Sequence, residues 1–449
     1  MKAWKLCKSI LTAVFLLPAL ATLADTELSP KERLQAQNAE FEKHIAQVAN
    51  NVYVGVGYAG SNASMIVGDD GVIIVDTLPA LASAEILAAD FKKISDKPVK
   101  AIIYTHGHID HVGGARMFAG DDRPAIYARG NFSVKGVDAN KDNPMLAKRA
   151  AWQLGRTLAP HSERISLGVG PAVQPMQGFG QGALDPTMQF DDDTLRINIA
   201  GIQIELVSAP GETDDQLFVW LPNEKVLFTG DNFYRSFPNL YAIRGTPYRD
   251  VQMWANSLDM MSTLPADALV PGHTRPITGK QAVHQALADY RDAIRFVHDE
   301  TLAGMNRGLT PDELVFAVKL PPHLATRSYL GEFYGRVDTA VRAVFNGYVG
   351  WFDGNATHLS NLAPKDEAVQ IAALAGGEQA LLTALSAAQA EGNHSWALRL
   401  ADYLIELGTH QAEATRAKIQ SLRALAENTE NAPTRNYYLS VAHALEDTN

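Results

Sequence analysis

The ten residues T-H-G-H-I-D-H-V-G-G from Thr105 to Gly114 constrain this chain more than any other feature. They follow the apolar run 100–104, which reads as a buried strand that ends abruptly in a turn. His106, His108, Asp110 and His111 therefore converge from one strand end, and three of the chain's 13 histidines sit among them. Imidazoles this crowded repel one another when protonated, and a divalent cation removes the conflict by binding their neutral forms. The segment predicts a metal site built on a sheet edge.

One turn cannot complete two metal shells, so further ligands must arrive from other strand ends. Glu212 stands in P-G-E-T after the strand-like IQIELVS, Asp231 in T-G-D-N after KVLFTG, and His273 in P-G-H-T after ALV. Each follows a strand and a glycine, the place from which a sheet delivers side chains to one edge.

The remaining texture divides the chain. Short strands NVYVGV, ASMIV and VIIVDT, with Asp69, Asp70 and Gly71 as a turn, predict a hairpin-rich sheet. A helix is expected over 82–94, and more strands at LRINIA, LFVWL and KVLFTG. Between about 131 and 187 periodicity is lost, and the Gly- and Pro-rich GVGPAVQPMQGFGQG reads either as a lid or binding loop or as a linker. Strands nearly vanish after residue 279. We therefore expect a catalytic α/β domain over 51–279 and an all-helical domain over 280–449. Ahead of them, Leu34, Phe41, Ile45 and Val48 at helical spacing predict an N-terminal helix within 25–50.

Residues 1–24 read as a secretory signal peptide: Lys2, Lys5 and Lys8 precede the apolar stretch 10–20, and Ala19, Ala21 and Ala24 follow. The stretch is shorter than the roughly 20 residues a spanning helix needs, and Pro18 interrupts it. The expectation is a periplasmic or secreted protein without a stable membrane anchor after cleavage. Cys7 is the only cysteine, so a chain cut after Ala24 has none and tolerates an oxidising compartment. The 449 residues are 46% hydrophobic and 20% charged, which suits a folded globular chain. A net charge of −11 supplies no global basic field, so no nucleic-acid partner is expected.

The H-x-H-x-D-H motif with its three distant partners resembles the metallo-β-lactamase superfamily over residues 50–278. That resemblance implies a four-layered αββα sandwich with the metals at one edge of the two sheets. The superfamily usually has histidine at the P-G-E-T position, and Glu212 there resembles the alkylsulfatase branch. The segment 239–254, NLYAIRGTPYRDVQMW, resembles that branch's sulfate-binding segment. Motifs at 290–308, 320–322 and 348–355 resemble its dimerisation region. The chain departs from the branch in having Gly107 between the first two histidines, Asp231 at an often-glutamate bridging position, and no clear tyrosine in the loop 167–184.

The resemblance implies hydrolysis of alkyl sulfate esters to alcohol and inorganic sulfate by a water activated between two Zn²⁺ ions. His106, His108 and Glu212 would hold one ion, and Asp110, His111 and His273 the other. Asp231 would bridge them, with Asp110, Asp231 and Arg244 as the catalytic set. Arg244 offers a fork-shaped hold on sulfate oxygens, surrounded by Asn239, Tyr241 and Arg249. It also implies a homodimer, with Tyr348, Trp351 and Phe352 as interface aromatics. The alternatives are another hydrolase of this fold, acting on a lactone, thioester or β-lactam, and a non-catalytic secreted binding protein.

Overall fold

The structure, a computed structural model, describes residues 28–135 and 143–447. The signal-peptide segment 1–24 lies outside the described residues. Two sheets face each other. The first runs in chain order, β1 (His44–Ala49), β2 (Val52–Val56), β3 (Ala63–Val67), β4 (Val72–Val75), β5 (Val99–Ile103), β6 (Ala125–Arg129) and β7 (Met188–Phe190). The second comprises β8 (Thr194–Ile199), β9 (Ile202–Ser208), β10 (Leu217–Leu221), β11 (Val226–Gly230), β12 (Ala268–Pro271) and β13 (Ile277–Thr278), ordered in reverse across the sheet.

Strands β4, β10 and β11 are buried along their whole length because both faces are covered. Between the sheets pack Val52, Val54, Ile73 and Ile103 from one side and Leu206, Val219, Phe228 and Val270 from the other. The outer face of the first sheet carries the helices Leu81–Lys92 and Ala115–Ala119 through Leu87, Phe91 and Phe118. The outer face of the second carries Val251–Ser262 and Lys280–Asn306 through Trp254, Leu258, Leu287 and Ile294. This is the αββα sandwich expected, and a helical region follows it toward the C-terminus.

Two expectations are corrected. The N-terminal helix expected within 25–50 occupies only Pro30–Ala36, started by a capping box between Ser29 and Glu32, with a 3₁₀ turn after it. Ile45 and Val48 lie instead on β1, an edge strand paired antiparallel to β2. Ile45 packs on the helix-covered face of the sheet and Val48 on the inter-sheet face. A strand with apolar partners on both faces imitates helical spacing, which is why the pattern misled.

The boundary expected at residue 280 does not separate two cores. Val283, Leu287 and Tyr290 share one core with Phe218, Trp220 and Leu227 of the second sheet, and Leu314, Val341 and Val344 extend it. A separate helical core appears only further on, where Leu381, Leu385, Leu400 and Leu404 pack together. Among the described residues no single helix is long and apolar enough to cross a membrane.

Within the span 131–187 the structure adds one helix, Pro144–Gln153, capped by Asn143. The Gly-rich stretch that follows is fastened to the sandwich: the Gly60 N–H donates to Gln174 Oε1 at 2.6 Å and the Leu81 N–H to the Gly178 carbonyl at 3.3 Å.

Candidate metal centre

Every acid and histidine singled out as a ligand leaves the sandwich at one rim. His106, His108, Asp110 and His111 follow β5, Glu212 follows β9, Asp231 follows β11 and His273 follows β12. Two glycines permit this crowding. A Cβ on Gly107 would lie 1.9 Å from the Ser133 carbonyl oxygen, and one on Gly272 would lie 2.1 Å from Asp231 Oδ1. Only glycine lets the backbone come so close.

The ligand atoms of His106, His108, Glu212 and Asp231 lie within 4.8 Å of one another, and so do those of Asp110, His111 and His273. Asp231 stands between the groups: its Oδ1 is 3.2 Å from His111 Nε2 and its Oδ2 is 3.2 Å from His273 Nε2 and 3.7 Å from His106 Nε2. His106 Nε2 and His108 Nδ1 approach to 3.0 Å.

Outer partners aim the rings. His111 Nδ1 donates to Asp76 Oδ2 at 2.8 Å, and His273 Nδ1 donates to the Gly60 carbonyl at 2.6 Å. Thr105 Oγ1 donates to Asp76 Oδ2 at 2.8 Å and so accepts from His106 Nδ1 at 3.0 Å. In all three rings the Nδ1 hydrogen bond turns Nε2 toward the centre. The Gly107 N–H donates to Asp215 Oδ2 at 3.0 Å, which holds the H-x-H turn, and Lys135 Nζ lies 2.5 Å from Asp215 Oδ1.

Asp76, Thr105, Gly60 and Asp215 were not anticipated from sequence. Asp76 had a signal: an acid ending the apolar strand VIIV, in a left-handed conformation with φ 57°. Gly60 had none, because it acts through its carbonyl.

The electrostatics are those of a cation site. Burial pushes His106 and His108 well below the usual histidine range. Burial acts the same way on His111 and His273, but the carboxylates around them, Asp231 first, outweigh it; His111 is held well above that range and His273 at about 9. Burial would raise Asp231, yet His273, His111 and His106 take it well below the carboxylate range. Burial raises Glu212 to about 8, only partly offset by Arg249. His111 Nε2, Glu212 Oε2 and Asp231 Oδ1 are buried without a hydrogen-bond partner. Orphaned acceptors of this kind, drawn from imidazoles and carboxylates, fit divalent transition-metal ions.

The residues expected around sulfate divide into two roles. Arg249, expected beside the anion, is 4% exposed and bonds through Nη1 to Glu212 Oε1 and to the Asn239 carbonyl. A buried carboxylate needs a countercharge, so Arg249 is claimed by the metal-side acid. Asn239 is buried, its N–H donating to the Tyr234 hydroxyl at 2.7 Å. Tyr241 lines a small cleft with Asn239, Gln153 and Tyr334. Arg244 is half-buried and close enough to His108 and Tyr334 for its charge to act on both.

Known proteins match this arrangement. The metallo-beta-lactamase superfamily model matches residues 56–273 and the alkyl sulfatase dimerisation model residues 310–448. A linear primary-alkylsulfatase of Pseudomonas sp. is 37% identical over 394 residues, covering 85% of this chain and 73% of that protein. The chain belongs to the alkylsulfatase family. An (R)-specific secondary-alkylsulfatase of Pseudomonas sp. is 29% identical over 413 residues, 89% of this chain and 62% of its own length. The solved structure of a stereoselective inverting sec-alkylsulfatase from Pseudomonas sp. superposes with a TM-score of 0.83 at 28% identity, over 93% of this chain and 67% of that one. Alkylsulfatase-family membership carries the enzyme class, a metal-dependent sulfuric ester hydrolase.

Proposed function

We propose that the protein hydrolyses alkyl sulfate esters to alcohol and inorganic sulfate with two Zn²⁺ ions per chain. The observation that carries this reading is the pairing of two complete ligand groups with an acidic Glu212, in a chain 37% identical to a linear primary-alkylsulfatase. His106, His108 and Glu212 would hold one ion and Asp110, His111 and His273 the other, with the Asp231 carboxylate facing both groups. Bound there, the ions supply Lewis acidity, which neutralises ester charge and brings a water's pKa from 15.7 toward about 7.

The chain's own residues do the rest. Asp76, Gly60 and Thr105 keep the Nε2 lone pairs of His111, His273 and His106 turned inward. Asp110, whose side chain is 34% exposed, is the most open carboxylate of the set and accepts the proton of the attacking water. Arg244 holds the sulfate oxygens, and its hold tightens as charge builds on the departing sulfate. Asn239 and Tyr241 line the same side.

The assay is sulfate release from alkyl sulfates of several lengths, run beside a lactone, a thioester, a β-lactam and a phosphodiester, with metal analysis of the same sample. We expect sulfate from the alkyl esters and about two metal ions per chain, since seven ligands exceed the four of one tetrahedral zinc. Cleavage of a lactone, thioester or β-lactam with no sulfate released would instead identify another hydrolase of this fold. No turnover at all would favour the binding protein.

We also propose a homodimer and an exported mature chain. Within the dimerisation match Phe316 is 80%, Tyr348 49% and Trp351 75% exposed, which suits a surface awaiting a second copy. The pattern of residues 1–24 supports export to the periplasm or beyond.

A further inference from the structure

We propose that Gln153 holds Arg244 with one end of its side-chain amide and offers the other end to an oxygen of the anionic headgroup. The inference rests on the alkylsulfatase reading and adds a residue to its substrate side. Gln153 closes the helix Pro144–Gln153 and is 1% exposed. Its Oε1 accepts the backbone N–H of Arg244 at 2.8 Å. That bond settles which way the amide faces, because only the oxygen can accept.

The amide nitrogen is therefore left pointing elsewhere. Gln153 Nε2 is buried and has no hydrogen-bond partner among the described residues, and Gln153 lines the cleft shared with Asn239, Tyr241 and Tyr334. A buried donor without an acceptor is costly; Tyr334 of the same cleft lies close enough to Arg244, Glu212 and Asp110 for their charges to act on it, so the cleft adjoins the site and the donor calls for a ligand oxygen. The backbone behind it is fixed: Asn436 Nδ2, from the C-terminal helix Ala432–Glu446, donates to the Gln153 carbonyl and to the Ser166 carbonyl, each at 3.3 Å.

The surroundings favour an anion. Arg156, three residues beyond Gln153, lies over the Phe179 ring at 5.7 Å. Arg156 is exposed, and partial desolvation and then the charge of Arg244 hold its guanidinium below its usual range. Arg156 and Arg244 are thus within electrostatic reach of each other, and the amide that holds the Arg244 backbone carries an unpaired donor. This set suits the oxygens of a sulfate monoester and would repel a cationic headgroup.

The test uses the full metal-loaded chain and the variants Gln153→Glu and Gln153→Leu. Glutamate keeps the acceptor for Arg244 and converts the donor into an acceptor. We expect Gln153→Glu to raise KM for an alkyl sulfate, and Kd for inorganic sulfate by calorimetry, about tenfold or more. Its kcat should stay within about threefold and its melting temperature close to the parent's, since the Arg244 anchor survives. A residue acting only through packing would leave both KM and the sulfate Kd unmoved. Parent values of KM and sulfate Kd in Gln153→Glu overturn the proposal; should that variant fail to fold, parent values in Gln153→Leu do so. A parent that binds sulfate without hydrolysing alkyl sulfates sinks the proposed function, and the sulfate Kd comparison still decides Gln153. A parent that does neither overturns both.

Discussion

In the proposed reaction Arg244 serves the substrate and Glu212 the metal, and substitution should separate them. Arg244→Ala removes a charge-assisted contact that strengthens toward the transition state, at about 2–4 kcal/mol, or roughly 30- to 1000-fold in kcat/KM. Its metal content should match the parent's. Glu212→Ala removes a ligand and should lower metal occupancy together with rate. Metal analysis beside kinetics reads both, and an Arg244→Ala enzyme as fast as the parent would remove the sulfate hold. Arg249 was legible as an arginine near the site but not as the partner of Glu212. Arg249→Ala leaves the buried Glu212 carboxyl, held at about 8 and so protonated at neutral pH once the metal is gone, without its hydrogen-bond partner, and the chelated protein should lose about 1–3 kcal/mol in urea unfolding. A loss below about 1 kcal/mol would show that solvent already reaches Glu212.

Elements were legible where burial runs nearly the whole length of a strand. The strands β2, β3, β4, β10 and β11 follow the apolar runs closely, because burial in a sandwich demands such runs. Element phase was less legible where neighbours differ on two sides. In the helices His394–Leu407 and Gln411–Glu427, whose spacing suggests Trp396, Leu400 and Leu404 packed against Ala412, Ile419 and Leu422, the three leucines are buried, yet Trp396 is 44% exposed and Ala412 is exposed, and Ala414 and Ala417 take the inner positions. The short helix Pro30–Ala36 makes the same point about distance. Its Leu34 packs with Ile165, Phe333 and Ala432, so the N-terminal segment joins the loop wall to the start of the last helix. Leu34→Ala should cost about 2–4 kcal/mol, visible as a lower melting temperature, with kcat unchanged. A neutral substitution would mean that this junction rearranges to fill the space.

At the scale of the whole molecule, the proposed metal ions and the proposed second copy would each add stability that one bare chain lacks. Chelation leaves Glu212, Asp231 and Asp110 without their cations. With zinc about 1,000-fold above its Kd at both sites the lost stabilisation is about 4 kcal/mol per ion, about 8 kcal/mol for the two, so the melting temperature should fall by roughly 10 °C and recover on zinc addition. An unchanged melt after verified metal removal would contradict the ligand assignment. For the dimer, light scattering should give twice the chain mass, and Trp351→Glu should halve it while leaving metal per chain unchanged. A parent of single-chain mass at micromolar concentration would refute the homodimer.

The sequence by itself determined which acids and histidines are candidate ligands, their order along the chain and the sandwich that carries them. These are local matters: a strand end, a glycine and an acid or histidine lie within a few residues of one another, and sheet geometry carries them to one rim. Tertiary structure alone decided which atoms turn inward and which groups support them. Asp76 reaches His111 across 35 positions, Gly60 reaches His273 across 213, and Asn436 reaches the Gln153 carbonyl across 283. Such pairs leave no periodic trace, because a hydrogen bond requires proximity in space and nothing of spacing in the chain. The same holds for Arg249: its charge was visible, but only the burial of Glu212 beside it determined where that charge is used.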